Sequence, residues 1–455
     1  MSESPLSFRP KRKSEVEKSH RSKPSTAHRV GHGLRSVYLD NAAASPLDAK
    51  VLKAMLPYFS SIAANPSSLH SAGQAANKAV TQARKSIAEI INGHADEIIF
   101  TSGGTESDNL AINGVIAECR TTYNVQRTNV ESGLPHVVTT AIEHHAILEL
   151  LTRLQKKGEI DLTIVKPQKN GVVKVDDVMS AINDRTVLVS VMYANNEIGT
   201  IQPIGDIGRA ILKYRSSKLE SRNIERGTSY DVRGTFPLFH SDACQAAGYL
   251  DLNVEKLHVD LLTLNGGKIY GPKGIGFLFV RRGVKLAPTV IGGGQERGLR
   301  SGTENVPGIV GMAKALELAQ KDRDKESKRL AQLRDRLIKG LLRIPKSRLN
   351  GDPVERLPNN VNISFMDIEG EAAMLYLDAK GISCSTGSAC ASTSLDPSHV
   401  ILALGMSYEA AHGSLRFSLG HDTTKSDVDY VIKVMPGIVE MLRKISPVTL
   451  DMSHF

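Results

Sequence analysis

Short apolar runs at 98–101, 136–140, 186–193, 236–241, 259–264 and 275–280 recur along the chain, with amphipathic stretches such as 76–92 and 175–183 between them. An apolar run of four to eight residues without alternation suits a strand covered on both faces, and strands separated by helices pair in parallel through crossovers. The pattern therefore predicts an α/β fold with a mainly parallel central sheet covered by helices. A charged amphipathic pattern over 311–343 reads as a linking helix. After it, strand-like Val361–Phe365, Ile382–Cys384 and Leu415–Ser418, helix-like Glu369–Ala379 and a final helix from Ser426 predict a smaller α+β domain. The expected layout is an extension at 1–35, a large domain at 36–310 whose first residues pack with the small domain, and the linking helix with the small domain at 311–455.

Open α/β sheets bind ligands beyond the carboxyl ends of their strands. Lys268 follows the run 259–264 inside Asn265-Gly266-Gly267-Lys268-Ile269-Tyr270-Gly271, and a lysine delivered from a strand end into a glycine-rich turn can form a Schiff base. In a pyridoxal phosphate enzyme such a lysine needs an acid for the ring nitrogen, a phosphate cradle and a group over the ring face. Asp242 ends the run 236–241 and can hold the ring nitrogen protonated, and Gln245 can reach the ring hydroxyl. Ser102-Gly103-Gly104-Thr105 leads from a strand into a helix, where backbone N–H groups and the Thr105 hydroxyl can meet a phosphate. His144 stands where another strand gives way to a helix and can stack on the ring. Singly, each motif reads as a turn, a cap or a surface charge; it is their order, each at a strand end, that points to one site.

Residues 1–35 hold nine Lys or Arg against three Glu, so most of the formal charge of +9 lies there and the remainder is close to balanced. This extension is polar and poor in aromatics, reads as disordered, and lacks the apolar core of a secretory signal. Neither nucleic acid nor a membrane is expected as a partner, since no apolar run approaches about 18 residues. The four cysteines, Cys119, Cys244, Cys384 and Cys390, lack zinc-ligand spacing, no metal site is expected, and free thiols in a reducing cytoplasm are the reading, with organellar import left open by the basic extension. Two polar stretches, 119–134 and 214–235, read as inserted surface loops.

The runs Tyr38–Pro46, Phe100–Ile112, Asn195–Gly199, Lys268–Gly274, Gly292–Thr303 and Ser385–Cys390 resemble those of cysteine desulfurases of the NifS/IscS type, in the class V aminotransferase family of fold-type-I pyridoxal phosphate enzymes. The resemblance implies conversion of L-cysteine to L-alanine, with Lys268, His144 and Cys390 catalytic. The sulfur is held as a persulfide on Cys390, in a small polar segment, for an acceptor protein such as an iron–sulfur scaffold. Selenocysteine lyase, or another class V aminotransferase-type enzyme, is the alternative. By the same resemblance Asn196 lies near the ring hydroxyl and substrate carboxylate, Arg416 binds that carboxylate, and Thr303 reaches the phosphate of a neighbouring subunit, which implies a homodimer. Cys384 and Cys244 read as packing residues. The chain departs from the many relatives that read Ser-Gly-His-Lys: Asn265 and Gly267 replace two phosphate-contacting side chains, with the Asn265 amide and the glycine N–H groups as possible substitutes.

Overall fold

The computed structural model describes residues 35–126, 133–221, 235–386, 396–447, 449–450 and 452–454. Its strands are β1 (Val37–Tyr38), β2 (Ile98–Thr101), β3 (His136–Thr140), β4 (Asp161–Val165), β5 (Thr186–Ser190), β6 (Leu238–Asp242), β7 (Leu261–Asn265), β8 (Gly276–Val280), β9 (Ser347–Leu349), β10 (Asn360–Phe365), β11 (Ile382–Ser383) and β12 (Ser414–Ser418). Helices α1 (Ala49–Met55), α2 (Ser71–Ile91), α3 (Gly104–Gln126), α4 (His145–Lys156), α5 (Val175–Ala181), α6 (Ile204–Ser221) and α7 (Val254–Leu257) accompany the first eight strands. Helix α8 (Val306–Leu341) then leads to α9 (Gly370–Asp378), α10 (His399–Ala403), α11 (Tyr408–His412) and α12 (Lys425–Ile445).

The central sheet has the order β2-β8-β7-β6-β5-β3-β4, and every pairing is parallel except the two made by β8. Alternate side chains serve two cores, which is why these strands read as continuous apolar runs. Ile98, Phe100, Val138, Val189, Phe239 and Leu262 pack with α2, α6 and the first half of α8. Ile99, Val137, Leu188, Leu238 and Leu261 pack with α3 and α4. Both faces are covered, as the sequence predicts. A smaller antiparallel sheet, β12-β10-β9, forms a third core with the second half of α8, α9 and α12. Strand β1 pairs with β11, Leu39 enters this third core, and Asp40 bridges to Ser418.

Two expectations need correction. Residues 119–126 are the last turns of α3 and 214–221 the last turns of α6, not loops. Cys119 is buried, and Arg120 donates to the Glu159 carboxylate at 3.0 Å and carbonyl at 2.7 Å, so the polar composition hides an anchored helix face. Arg215 is fully buried, its guanidinium paired with Asp260 and donating to the Pro237 carbonyl. Of the remainders, 133–134 and 235 lie outside helix and strand, while 127–132 and 222–234 fall outside the described residues, as does the extension 1–34. Strand β4 escaped the sequence reading because it is a sheet edge with mixed, half-exposed side chains. Among the described residues, no helix is long and apolar enough to cross a membrane.

Candidate active site

A cavity of 310 Å³ opens beyond the carboxyl ends of the parallel strands. Its position follows from how β7 ends. The Asn265 side-chain oxygen accepts the Gly267 N–H at 3.0 Å and starts a single tight turn that delivers Lys268. A Cβ on Gly266 would lie 2.8 Å from the Pro272 carbonyl oxygen, so only glycine allows this close approach. Lys268 Nζ donates to the carbonyls of Ala42 at 2.9 Å and Ala43 at 2.6 Å. Gln245 Nε2 donates to the same Ala42 carbonyl at 3.0 Å.

Acids form one end of the cavity. Asp242, at the end of β6, is buried and accepts the Cys244 N–H at 2.8 Å. Asp108, on the first turns of α3, also lines the cavity, is 1% exposed, and has an Oδ1 without a hydrogen-bond partner. Burial, reinforced by Asp242, holds its carboxyl well above the usual carboxylate range against a hydrogen bond from Thr263. Glu143 accepts from the Thr140 hydroxyl at 2.6 Å and the Met192 N–H at 2.9 Å, and burial pushes it up to about 8. His240 beneath them is fully buried between Ser190 Oγ at 2.9 Å and Thr263 Oγ1 at 3.0 Å, and burial drops it to about 4, so it is neutral.

The opposite end suits an anion. Gly104 begins α3, whose first N–H groups carry the positive end of the helix dipole. An adjoining lobe of 260 Å³ is lined by Gly103, Thr105, Asn265, Gly267, Lys268 and Lys273, among others. Because the Asn265 oxygen is occupied by the Gly267 N–H, the amide presents its Nδ2 beside Gly103 and Gly104.

Over the cavity, His144 caps α4 by accepting the Ala146 N–H on Nδ1 at 3.1 Å. In the neutral ring the proton then sits on Nε2. Burial lowers its basicity, countered by Asp242 and reinforced by Lys268 and His145. Arg416, on β12, is 3% exposed; it donates to the Asn196 carbonyl at 3.0 Å and to Asp40 at 2.9 Å, while its Nε has no partner. Glu197 is pushed up to about 7 by burial and bonds Ser398, the residue that caps α10. His399 Nε2 lies 2.9 Å from the Glu143 carbonyl, and its ring is 4.6 Å from that of His145.

Of the residues singled out in the sequence, Gly104, Thr105, His144, Asn196, Asp242, Gln245, Asn265, Lys268 and Arg416 all line the cavity. Thr303 is exposed and lines neither the cavity nor its lobe. Cys390 lies outside the described residues. Cys384 is buried in the third core, and burial pushes its thiol up to about 12, which suits packing. Cys244 is buried too, but it also borders the cavity: a Cβ on Gly104 would come 2.8 Å from its sulfur. Sequence reasoning missed Asp108, Glu197 and His399. Asp108 lies three residues past Thr105 and four past Gly104, a spacing that puts all three on one helix face and could have revealed it.

The class-V aminotransferase family model matches residues 37–217 and 233–431. The chain is 46% identical over 415 residues to the cysteine desulfurase IscS of Methanosarcina thermophila, covering 91% of this chain and 95% of that one. A solved NifS-like protein superposes with a TM-score of 0.77 at 35% identity, over 90% of this chain and 100% of the other. SspA, solved in complex with cysteine, superposes with a TM-score of 0.68 at 33% identity, over 84% of this chain and 99% of the other. With the fold, the lysine turn and the matched span in agreement, the chain belongs to the class-V aminotransferase family, among its cysteine desulfurases.

Proposed function

We propose that the 310 Å³ cavity binds pyridoxal phosphate and converts L-cysteine to L-alanine, passing the sulfur to Cys390. The observation that carries this reading is the cavity's polarity around Lys268. The buried carboxyls of Asp242 and Asp108 occupy one end, and the start of α3 with the Asn265 amide occupies the other. Those residues fit a ligand with a cationic ring nitrogen and an anionic phosphate. Asp242 would hold the ring nitrogen, Gln245 and Asn196 the ring hydroxyl, His144 the ring face, and Gly104, Thr105 and Asn265 the phosphate. Bound there, the cofactor would supply an electron sink that acidifies the substrate α-proton.

The protein's own groups do the rest. Lys268 Nζ, freed from the Ala42 and Ala43 carbonyls and deprotonated, takes and returns the α-proton. His144 Nε2–H donates a proton on the facing side. Arg416 binds the substrate carboxylate with its fork, the unpartnered Nε offering one donor. Cys390 attacks as thiolate: a sulfur–sulfur bond forms, the substrate carbon–sulfur bond breaks, and that electron pair stays on the carbon, which is protonated to the alanine methyl. The described residues on either side of the Cys390 segment meet the cavity walls. Ser385 exchanges backbone hydrogen bonds with Arg416 at 3.1 and 2.7 Å, and Ser398 bonds Glu197. That placement supports delivery of Cys390 to the substrate sulfur.

The acceptor is read as a protein thiol or scaffold in iron–sulfur or thio-cofactor assembly, and the working unit as a homodimer in the cytoplasm, with Thr303 reaching the partner's phosphate. The test is to assay alanine from cysteine and record the cofactor spectrum. Lys268→Ala should lose the protonated Schiff-base band. Cys390→Ser should keep that band and lose alanine, and Cys384→Ser should be silent. Turnover retained by Cys390→Ser would refute the thiol assignment.

A further inference from the structure

Beneath the cavity two carboxyl groups compete for a single compensation. Asp108 and Asp242 both line it, and both are buried. Asp242 has a backbone donor, the Cys244 N–H, whereas Asp108 Oδ1 has none. The basic groups around the pair do not neutralise it. His240 Nε2 is 3.6 Å from Asp108 Oδ1, but the ring is neutral and bonded to Ser190 and Thr263. His144, on the α4 side, has lowered basicity, and Lys268, beyond β7, bonds the Ala42 and Ala43 carbonyls. The other groups facing the pair are acids: Glu143, whose carboxyl is protonated at neutral pH, and the Cys244 thiol, which burial pushes well up. Two like charges in so dry a place cannot both persist. Asp108, 1% exposed and with one oxygen orphaned despite the hydrogen bond from Thr263, is the carboxyl that keeps its proton.

We propose that Asp108 is a reserve counterion: a second cavity acid that stays protonated while Asp242 faces the cationic ring nitrogen, and that takes over the negative charge when Asp242 is neutralised. The proposal rests on the cofactor reading above and adds to it a positioning residue. It assigns the floor of the cavity one negative charge, matched to one ligand cation, with two places to put it. The exchange is of a proton only: Asp108 loses its proton to solvent when residue 242 can no longer carry charge.

Cofactor titration of the full-length apo-protein, followed by the visible band, tests the interchange through a double-mutant cycle. Asp108→Asn, the neutral isostere of the protonated acid, should bind pyridoxal phosphate within about threefold of the native chain. Asp242→Asn should lose about tenfold, because Asp108 ionises in its place, and the double variant should lose far more than the product of the two, about a hundredfold or beyond. Losses that simply multiply would overturn the proposal, as would an Asp108→Asn loss matching that of Asp242→Asn. A second measurement needs no cofactor. A carboxyl whose folded pKa is raised loses stability as pH climbs from its unfolded value toward the folded one. Asp108→Asn should therefore gain thermal stability relative to the native chain steadily above about pH 4. A gap that stays flat with pH would show Asp108 ionised and reject the idea, whereas a native chain that forms no cofactor band would reject the pyridoxal phosphate reading while leaving this pH test to judge the carboxyl pair.

Discussion

Gly267 shows how much one side chain's absence is shared among its neighbours. A Cβ built there meets Asn265 Oδ1 and Lys273 Cγ at 3.5 Å, so a β-carbon fits, but the Gly267 N–H already fixes the Asn265 amide. Gly267→His should accordingly leave pyridoxal phosphate affinity unchanged or weaker, because an imidazole would crowd a lobe in which Asn265 is already oriented. A tenfold gain on titration, about 1.4 kcal/mol, would show that the cradle lacks a contact. Glu143 gives a pH prediction at the same scale. Its folded pKa of about 8 stands above its ordinary 4.5, so ionising it costs stability as pH rises between those values. His240, depressed to about 4, acts in the opposite sense, gaining stability for the fold as pH rises from about 4 to 6.5, and is spent above that. Glu143→Gln keeps the acceptor oxygen for Thr140 and Met192 and cannot ionise. Its melting temperature should gain on the native protein as pH rises from 6.5 to about 8 and level off beyond; parallel curves would refute the buried, protonated state.

Among the elements, α10 is tied to the cavity wall through Ser398 and His399. Ser398 accepts the Val400 and Ile401 N–H groups at 3.1 and 3.3 Å and bonds Glu197, while His399 reaches the Glu143 carbonyl. Ser398→Ala removes a cap worth about 1 kcal/mol and strands a buried carboxyl. The expected result is a cut in alanine formation of tenfold or more, with cofactor affinity held within about threefold, since Ser398 bonds Glu197 in the cavity wall and none of the proposed cradle residues. Equal losses in both would show that the helix supports the whole cavity. Most strands, the long helix α8 and most cavity residues were legible because burial on two faces and glycine-rich strand ends leave a local signature; the short or half-exposed β1, β4 and β9 were not. Arg215 and the tails of α3 and α6 were not. A buried guanidinium is spelled like a surface one, and its partner Asp260 is 45 residues away. Asp108 and Glu197 sat inside recognised runs without being singled out, and His399 became visible only when distant segments converged.

At the scale of the molecule, Leu69 and Ile291 are 91% and 85% exposed. Their exposure and that of Thr303 in the segment after Ile291 fit the proposed homodimer. Light scattering should give twice the chain mass, and Leu69→Asp with Ile291→Asp should shift it to monomer and weaken the cofactor, as loss of Thr303 across the interface requires. A native monomer with full cofactor affinity would refute that reading.

The pairing of β1 with β11 sets a timetable for biosynthesis. Val37 finds its partner at Ile382, and the same N-terminal segment supplies the Ala42 and Ala43 carbonyls that receive the lysine amine. The emerging chain can therefore bury its central sheet, and seat Ser45 against Gly267, before Ile382 has been made, whereas the β1–β11 ladder closes only afterwards. Joining the two cores is thus a late event, finished when strands far apart in the sequence meet.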